Sequence, residues 1–252
     1  MRGISATLAA LGLVLAAPVV AQGNDDDFTP LNSRIKRDRQ FPTDLAPRFT
    51  SGQMTKVNRD RSRAMLGQFS KCLFRRSNED SLELLEKTDL GFVNFEQIGM
   101  TPDVASRHFG FQDCLGHVAN MNSSGVAMRF WAGNLRSWLL REAYFKAYPD
   151  SPGWVKPGMT VTARSLPLSA ENPSVLAALD LADCVVAADP YNADYFFRTS
   201  EGSEEETAAL NALVPAIQPC VPAGVQLQIQ PPQMRQWLGE ALWHAANNNR
   251  TG

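Results

Sequence analysis

Two stretches, Leu66-Gly67-Gln68-Phe69-Ser70-Lys71-Cys72-Leu73-Phe74-Arg75-Arg76-Ser77 and Ala178-Leu179-Asp180-Leu181-Ala182-Asp183-Cys184-Val185-Val186-Ala187-Ala188-Asp189, align without a gap when Cys72 is set on Cys184. Leu66 then meets Ala178, Phe69 meets Leu181 and Leu73 meets Val185, and these apolar positions recur at the three- and four-residue spacing of one helical face. Both Cys lie inside that stripe and are expected to face a core. Ser77 and Asp189 close the alignment as N-cap residues, whose side-chain oxygens can accept the unpaired N–H groups of a following helix. Asp80 after Ser77 makes a weaker capping box, and Pro190 after Asp189 suits a first helical turn.

The likeness continues outward. A second Cys follows in each copy, Cys114 and Cys220, each expected near the end of a further helix. Thr101-Pro102 marks the start of the first of these helices, and Ser203-Glu204-Glu205-Glu206 reads as a full capping box at the start of the second. Both copies close on an Arg-x-Trp-Leu helix, Arg136-Ser137-Trp138-Leu139 and Arg235-Gln236-Trp237-Leu238, with an aromatic eight residues after each Arg, Tyr144 and Trp243. The first closing helix is expected over Met128 to Tyr144. A period of about 100 residues exceeds that of solenoid repeats, so two related helical units from an internal duplication are expected rather than an array.

Residues 1–21 carry Arg2, an apolar run and small residues at Val19-Val20-Ala21, the pattern of a secretory signal peptide cleaved near Ala21 and too short to span a bilayer. The mature protein is expected in the periplasm or secreted, with no transmembrane segment. Four Cys in an exported chain allow three pairings, and only Cys72 with Cys114 and Cys184 with Cys220 gives each copy the same bridge. Each bridge closes a loop that the chain-entropy model makes worth about 4 kcal/mol.

The expected organisation is a signal peptide (1–21), a basic arm (22–55), helical unit one (56–148), a Pro-rich linker (149–173) and helical unit two (174–252). Between Ser33 and Arg63 nine Lys or Arg face Asp38, Asp44 and Asp60, whereas residues 64–252 carry 14 basic and 20 acidic side chains. The arm is read as solvated and flexible, with docking on an anionic surface as the functional alternative. A whole-chain charge of −2 gives no reason to expect nucleic acid. Met159–Ala163 and Val225–Gln230 alternate in polarity and are candidates for a short β ribbon in an otherwise mainly α fold.

No catalytic constellation stands out. There is no C-x-x-C pair and no G-x-S-x-G turn; Cys114 and His117 make only half a metal site, and His108, His117 and His244 read as surface or capping residues. Glu142 and Glu240, near Arg136 and Arg235 on the closing helices, read as ion-paired or solvated rather than as an acid/base dyad. No catalytic, metal or cofactor residue is therefore assigned. Trp138, Trp237, Trp154, Arg136 and Arg235 are the candidate partner-binding residues; Trp154, in the linker, is expected to be exposed, and the paired Trp138 and Trp237 to be core.

Phe69-Ser70-Lys71-Cys72-Leu73, Leu181-Ala182-Asp183-Cys184-Val185-Val186, Asp189-Pro190, Pro219-Cys220 and the closing Arg235-Gln236-Trp237-Leu238-Gly239-Glu240-Ala241-Leu242-Trp243 together resemble a group of uncharacterised exported proteins of alphaproteobacteria. The resemblance covers about residues 56–246 and is stronger in the second copy. It implies a periplasmic address and a duplicated helical fold, and transfers no catalytic residue. The reading that follows is a non-catalytic periplasmic binding or structural protein engaging an envelope protein or an anionic surface. The alternatives are a periplasmic enzyme with its site between the two units, and an inhibitor or holdase-like chaperone.

Overall fold

Apolar stripes at helical spacing and frequent caps set the secondary structure. The computed structural model of the chain describes residues 59–122, 128, 130–155, 161, 164–224 and 230–249. The expected signal peptide and basic arm lie outside the described residues, as does nearly all of the expected β ribbon. Among the described residues there is no strand, and the fold is mainly helical.

Nine α-helices are described: α1 (Arg59–Arg76), α2 (Asn78–Lys87), α3 (Pro102–His108), α4 (Phe111–Met121), α5 (Ala132–Ala147), α6 (Pro173–Ala188), α7 (Pro190–Arg198), α8 (Glu204–Ile217) and α9 (Pro231–Asn248). Short 3-10 turns occupy Phe95–Ile98 and Gln218–Cys220. Packing follows the same order in both halves. The first helix lies on the last, α1 on α5 and α6 on α9, and the second helix also leans on the last, α2 on α5 and α7 on α9. α5 in turn packs against α9 and joins the halves.

One apolar cluster runs through both halves, from Phe69, Leu73, Leu135 and Leu139 to Val185, Leu238 and Leu242, all fully buried. Each such side chain contributes about 1.5–3 kcal/mol by leaving water. The first half adds an aromatic group in which Phe109 stacks on Phe111 at 5.9 Å and Trp138 meets Phe130 edge-on at 5.1 Å. Both expected disulfides are present: Cys72–Cys114 ties α1 to α4, and Cys184–Cys220 ties α6 to the turn after α8.

Local chemistry explains where helices begin and where they depart from expectation. Asp189 caps α7 by accepting the Asn192 N–H at 3.1 Å, with Pro190 in the first turn. Ser77 stands at the matching place but its hydroxyl caps nothing. The reason is that α1 runs almost directly into α2, the Ser77 N–H still bonding Leu73 O and its carbonyl already accepting the Ser81 N–H. Ser203 does cap α8, accepting the Glu206 N–H at 3.0 Å, but the reciprocal half of the box is missing because Glu206 turns to the Gly202 N–H and to Arg235. The helix begun at Thr101-Pro102 does not run on to Cys114: Gly110, at φ +67°, breaks it, so Cys114 opens a new helix instead of ending one. The closing helix of the first half begins at Ala132, not Met128, because Asn134 accepts the Trp131 N–H at 3.1 Å and fixes the start there; it ends at Ala147.

The linker is pinned at two points. Asp89, 1% exposed, accepts the backbone N–H groups of Leu168 (2.8 Å) and Ser169 (3.0 Å) and the Ser169 hydroxyl (2.8 Å). Trp154, expected to be exposed, is 3% exposed: its indole N–H donates to the Tyr144 hydroxyl at 2.9 Å, and that hydroxyl donates to Asp194 at 2.7 Å. A Trp with a partner for its one donor loses nothing on burial and gains its large apolar area.

Candidate functional site

The five candidate partner-binding residues do not form one surface. Arg136 is 1% exposed and Arg235 5%, and each holds the end of a neighbouring helix. Arg136 donates to Leu85 O (2.9 Å) and Thr88 Oγ1 (2.8 Å) at the end of α2; Arg235 donates to Phe196 O (3.1 Å), Phe197 O (2.8 Å), Thr199 O (2.9 Å) and Thr199 Oγ1 (3.0 Å) at the end of α7. A guanidinium at a helix C-terminus satisfies carbonyls that have no partner within the helix and meets the negative end of its dipole. Each Arg also takes a buried carboxylate, Glu240 for Arg136 and Glu206 for Arg235. Trp237 is half-buried against the core, and Trp154 is enclosed. Of the five, Trp138 and Arg235 meet at a common cavity.

That cavity is a cleft of about 690 Å³ between the halves, within the size range of small-molecule sites. Three helices supply its walls through positions at helical spacing. α1 contributes the small face Arg63, Ala64, Gly67 and Ser70; α5 contributes Asn134, Ser137, Trp138 and Arg141; α9 contributes Gln233, Gln236 and Gly239. Leu66, Leu140 and Phe197 form apolar parts of the lining, and the loop after α7 closes one end with Ser200, Glu201, Gly202 and Ser203. Arg63 lies across that end against Gly202, which at φ +68° has no Cβ to meet the guanidinium. Gly239 does the same for Phe197, whose ring would stand 2.7 Å from an added Cβ.

The charges along the cleft are unevenly matched. Arg235 is neutralised by Glu206 at 2.6 Å, and Glu240 by Arg136 at 2.7 Å. Arg141 has no carboxylate within 4.0 Å among the described residues; its Nη2 makes two long contacts, 3.4 Å to Arg198 O and 3.5 Å to Thr199 O, and its buried Nε has no hydrogen-bond partner. Burial and then the nearby charge of Arg235 lower its pKa, and the more distant Glu142 and Glu201 offset this only in part. Its guanidinium face lies 5.0 Å from the Phe145 ring. Ser70 donates to Glu142 at 3.0 Å, and burial raises the pKa of that carboxyl against the opposing pull of Ser70, Lys71, Arg141 and Arg75.

The histidines divide. His108 lies 3.3 Å from Asp80 at the surface, as a capping or surface residue would. His117 borders a shallow patch with Cys72, Arg75, Arg76 and Asp113. The C-x-x-H pair holds no thiolate ligand, because Cys114 is bonded to Cys72. His244 differs from expectation: its side chain is 14% exposed and stands 3.7 Å from Glu240. Among the described residues no group of three or more His, Cys, Asp or Glu could hold a metal ion.

Sequence reasoning passed over Arg141, Ser70, Asn134, Ser137, Gln233 and Gln236. The available signal was a small or polar stripe beside each apolar one, Ala64/Gly67 with Ser70 on α1 and Asn134/Ser137 with Arg141 on α5. No family model, curated protein or solved structure matches the chain.

Proposed function

We propose that this chain is a periplasmic binding protein whose working site is the cleft between its two helical halves, and that it holds a small ligand without transforming it. The observation that carries this reading is the cleft itself, walled by α1, α5 and α9 and lined by polar side chains, several of which serve no helix cap or ion pair. A cleft of this size that combines hydrogen-bonding groups with apolar surface has the ordinary make-up of a small-molecule site. The export step of the reading rests on the signal-like residues 1–21 and on two disulfides, which form and persist in oxidising compartments. Duplication supplies the architecture: a cap by Arg136 and a cap by Arg235, each onto a helix followed directly by a Thr, are the match expected of two related units. Docking on an envelope protein or anionic surface has less support. Trp154 is not available for it, which leaves that reading to residues 22–55 and to the exposed aromatics Trp131, Tyr191 and Tyr195.

The test is capture. Mature protein is incubated with an envelope metabolite extract, washed, denatured and analysed by mass spectrometry beside Ser137→Trp, whose indole plugs the cleft. Compounds retained by the wild type and absent from Ser137→Trp are the expected result. Identical profiles from the two proteins would overturn the reading.

An enzymatic reading ranks second, favoured by one observation: the Ser70 hydroxyl lines the cleft and donates to the half-buried carboxylate of Glu142. That is the arrangement by which a carboxylate activates a nucleophile. Labelling of Ser70 by a fluorophosphonate, lost in Glu142→Gln, would carry it, and an unlabelled Ser70 removes it.

A further inference from the structure

We infer that the ligand of this cleft presents an oxyanion, a carboxylate or a phosphate group, to Arg141. The inference rests on the cleft being a binding site and adds the chemical class of what it binds.

Among the described residues, Arg141 is the one guanidinium of the α5–α9 wall without an acidic partner. Arg136 and Arg235, on the same two helices, are each paired at under 3 Å with a buried carboxylate. Arg141 is half-buried in the cleft lining; besides the Phe145 ring under its guanidinium it has two long carbonyl contacts, with its Nε unsatisfied. A buried charge without a counter-ion is expensive, and proteins keep one where a ligand completes the pair. The bland alternative is that Arg141 only helps Arg235 to cap α7. Against it, Arg235 already donates to Phe196 O, Phe197 O and Thr199 O at 2.8–3.1 Å, so the end of α7 has its donors. Bringing a second cation to that place raises repulsion, which is the second cause of the lowered Arg141 pKa. An oxyanion in the cleft removes both costs, and a planar guanidinium is built to take carboxylate or phosphate through two parallel bonds.

The remaining lining limits the rest of the ligand. A cavity of about 690 Å³ is far larger than an inorganic anion. The amide N–H groups of Asn134 and Gln233, whose oxygens cap α5 and α9, offer donors; the amide of Gln236 and the hydroxyl of Ser200 offer both donors and acceptors, while Trp138 and Phe197 offer apolar surface. The fitting class is a small organic acid or phosphate ester with a hydroxylated or amide-bearing body. Glu201, on the closing loop, is exposed and forms no ion pair among the described residues, so it stands as the chain's own competitor for Arg141 rather than its partner.

The experiment is a titration of the mature protein with succinate and, separately, with inorganic phosphate, against sodium chloride at matched ionic strength. Intrinsic fluorescence reads Trp138 in the cleft, and thermal melting gives an independent signal. The expected result is a saturable response to one or both oxyanions, weakened about tenfold or more in Arg141→Gln and partly kept in Arg141→Lys. The stronger of the two arms tells carboxylate from phosphate. Gln236→Glu places a competing carboxylate in the cleft without touching Arg141, and is expected to weaken the same response about tenfold; it serves as the test should Arg141→Gln fail to fold. A response no greater than chloride's, or one indifferent to both Arg141→Gln and Gln236→Glu, overturns the inference. Capture then separates the two levels: neutral compounds retained by the wild type but not by Ser137→Trp would leave the cleft reading standing and the oxyanion class refuted. No retained compound at all would remove both.

Discussion

Arg136 on α5 and Glu240 on α9, 104 positions apart in the chain, form a two-point ion pair, Nε to Oε1 and Nη2 to Oε2 both at 2.7 Å, with side chains 1% and 2% exposed. It crosses from one half to the other, whereas Arg235 finds its carboxylate within its own half, at Glu206. The two Arg therefore share the capping of a preceding helix and differ in what they join. Arg136 sets the position of α9 against α5, and with it the separation of two walls of the cleft.

Breaking this pair from one side is expected to be severe. Glu240→Leu leaves a guanidinium buried without its counter-ion and should lower stability by about 3–5 kcal/mol. Arg136→Met loses the α2 cap as well and should be at least as damaging. Combined with Glu240→Leu it should recover part of the loss, giving a coupling of about 2 kcal/mol in a double-mutant cycle read by urea unfolding. Strict additivity of the two single losses would mean that the two side chains do not act as a pair.

Asp89 accounts for the course of the linker. Its carboxylate also accepts the Gly91 N–H at 2.7 Å, so four donors from two segments meet on one buried group. Asp89→Ala should cost about 3 kcal/mol, since hydrogen bonds to a charged group are the stronger kind and three N–H groups would lose their acceptor. Hydrogen exchange should quicken at Leu168 and Ser169 before it quickens in α6. Unchanged protection at those two amides would show that other contacts hold the linker.

The helix positions were legible in the sequence wherever caps and apolar stripes agreed. Asp189-Pro190 opens α7, Ser203 caps α8, and the four Cys pair as their matched places require. Local patterns report neighbours along the chain, and the misses are contacts across it. Trp154 reads as exposed because its linker is rich in Pro and Gly; only the fold supplies Tyr144 as its acceptor. Glu240 reads as ion-paired or solvated, and the structure selects the ion pair; that its partner is Arg136 of the other half is what only the fold supplies. A site between the two units stood as an alternative, but its lining was hidden for the same reason, since it is drawn from positions 63 to 240 with no motif of its own. Gly110 was a local signal that could have been read, as a helix break between Thr101 and Cys114.

The two disulfides should contribute almost equally. Their sequence separations are 42 and 36, which in the chain-entropy model makes each worth about 4 kcal/mol. Cys72→Ala/Cys114→Ala and Cys184→Ala/Cys220→Ala are expected to shift the urea midpoint by similar amounts. A loss confined to one of the pairs would show that strain or residual structure in the unfolded chain outweighs loop closure.

His244 should make the fold sensitive to acid. Burial lowers its pKa; Glu240 on its own helix opposes this, Arg136 of α5 and Arg164 ahead of α6 add to it, and Asp89 opposes it. The unfolded chain, with an ordinary His pKa of about 6.5, therefore binds the proton more readily than the folded one. Stability from this group is full above that value and falls as pH drops through it, at no more than about 1.4 kcal/mol per pH unit, levelling once the folded side chain is also protonated. Glu142 works in the opposite sense, because its raised pKa favours the folded state on acidification and the contribution is lost as pH rises through the folded value. Between pH 7.5 and 5.5 the wild-type Tm is expected to fall, His244→Gln to fall less, and Glu142→Gln to fall at least as steeply as the wild type. A His244→Gln profile that follows the wild type over that range would assign the acid sensitivity to other groups.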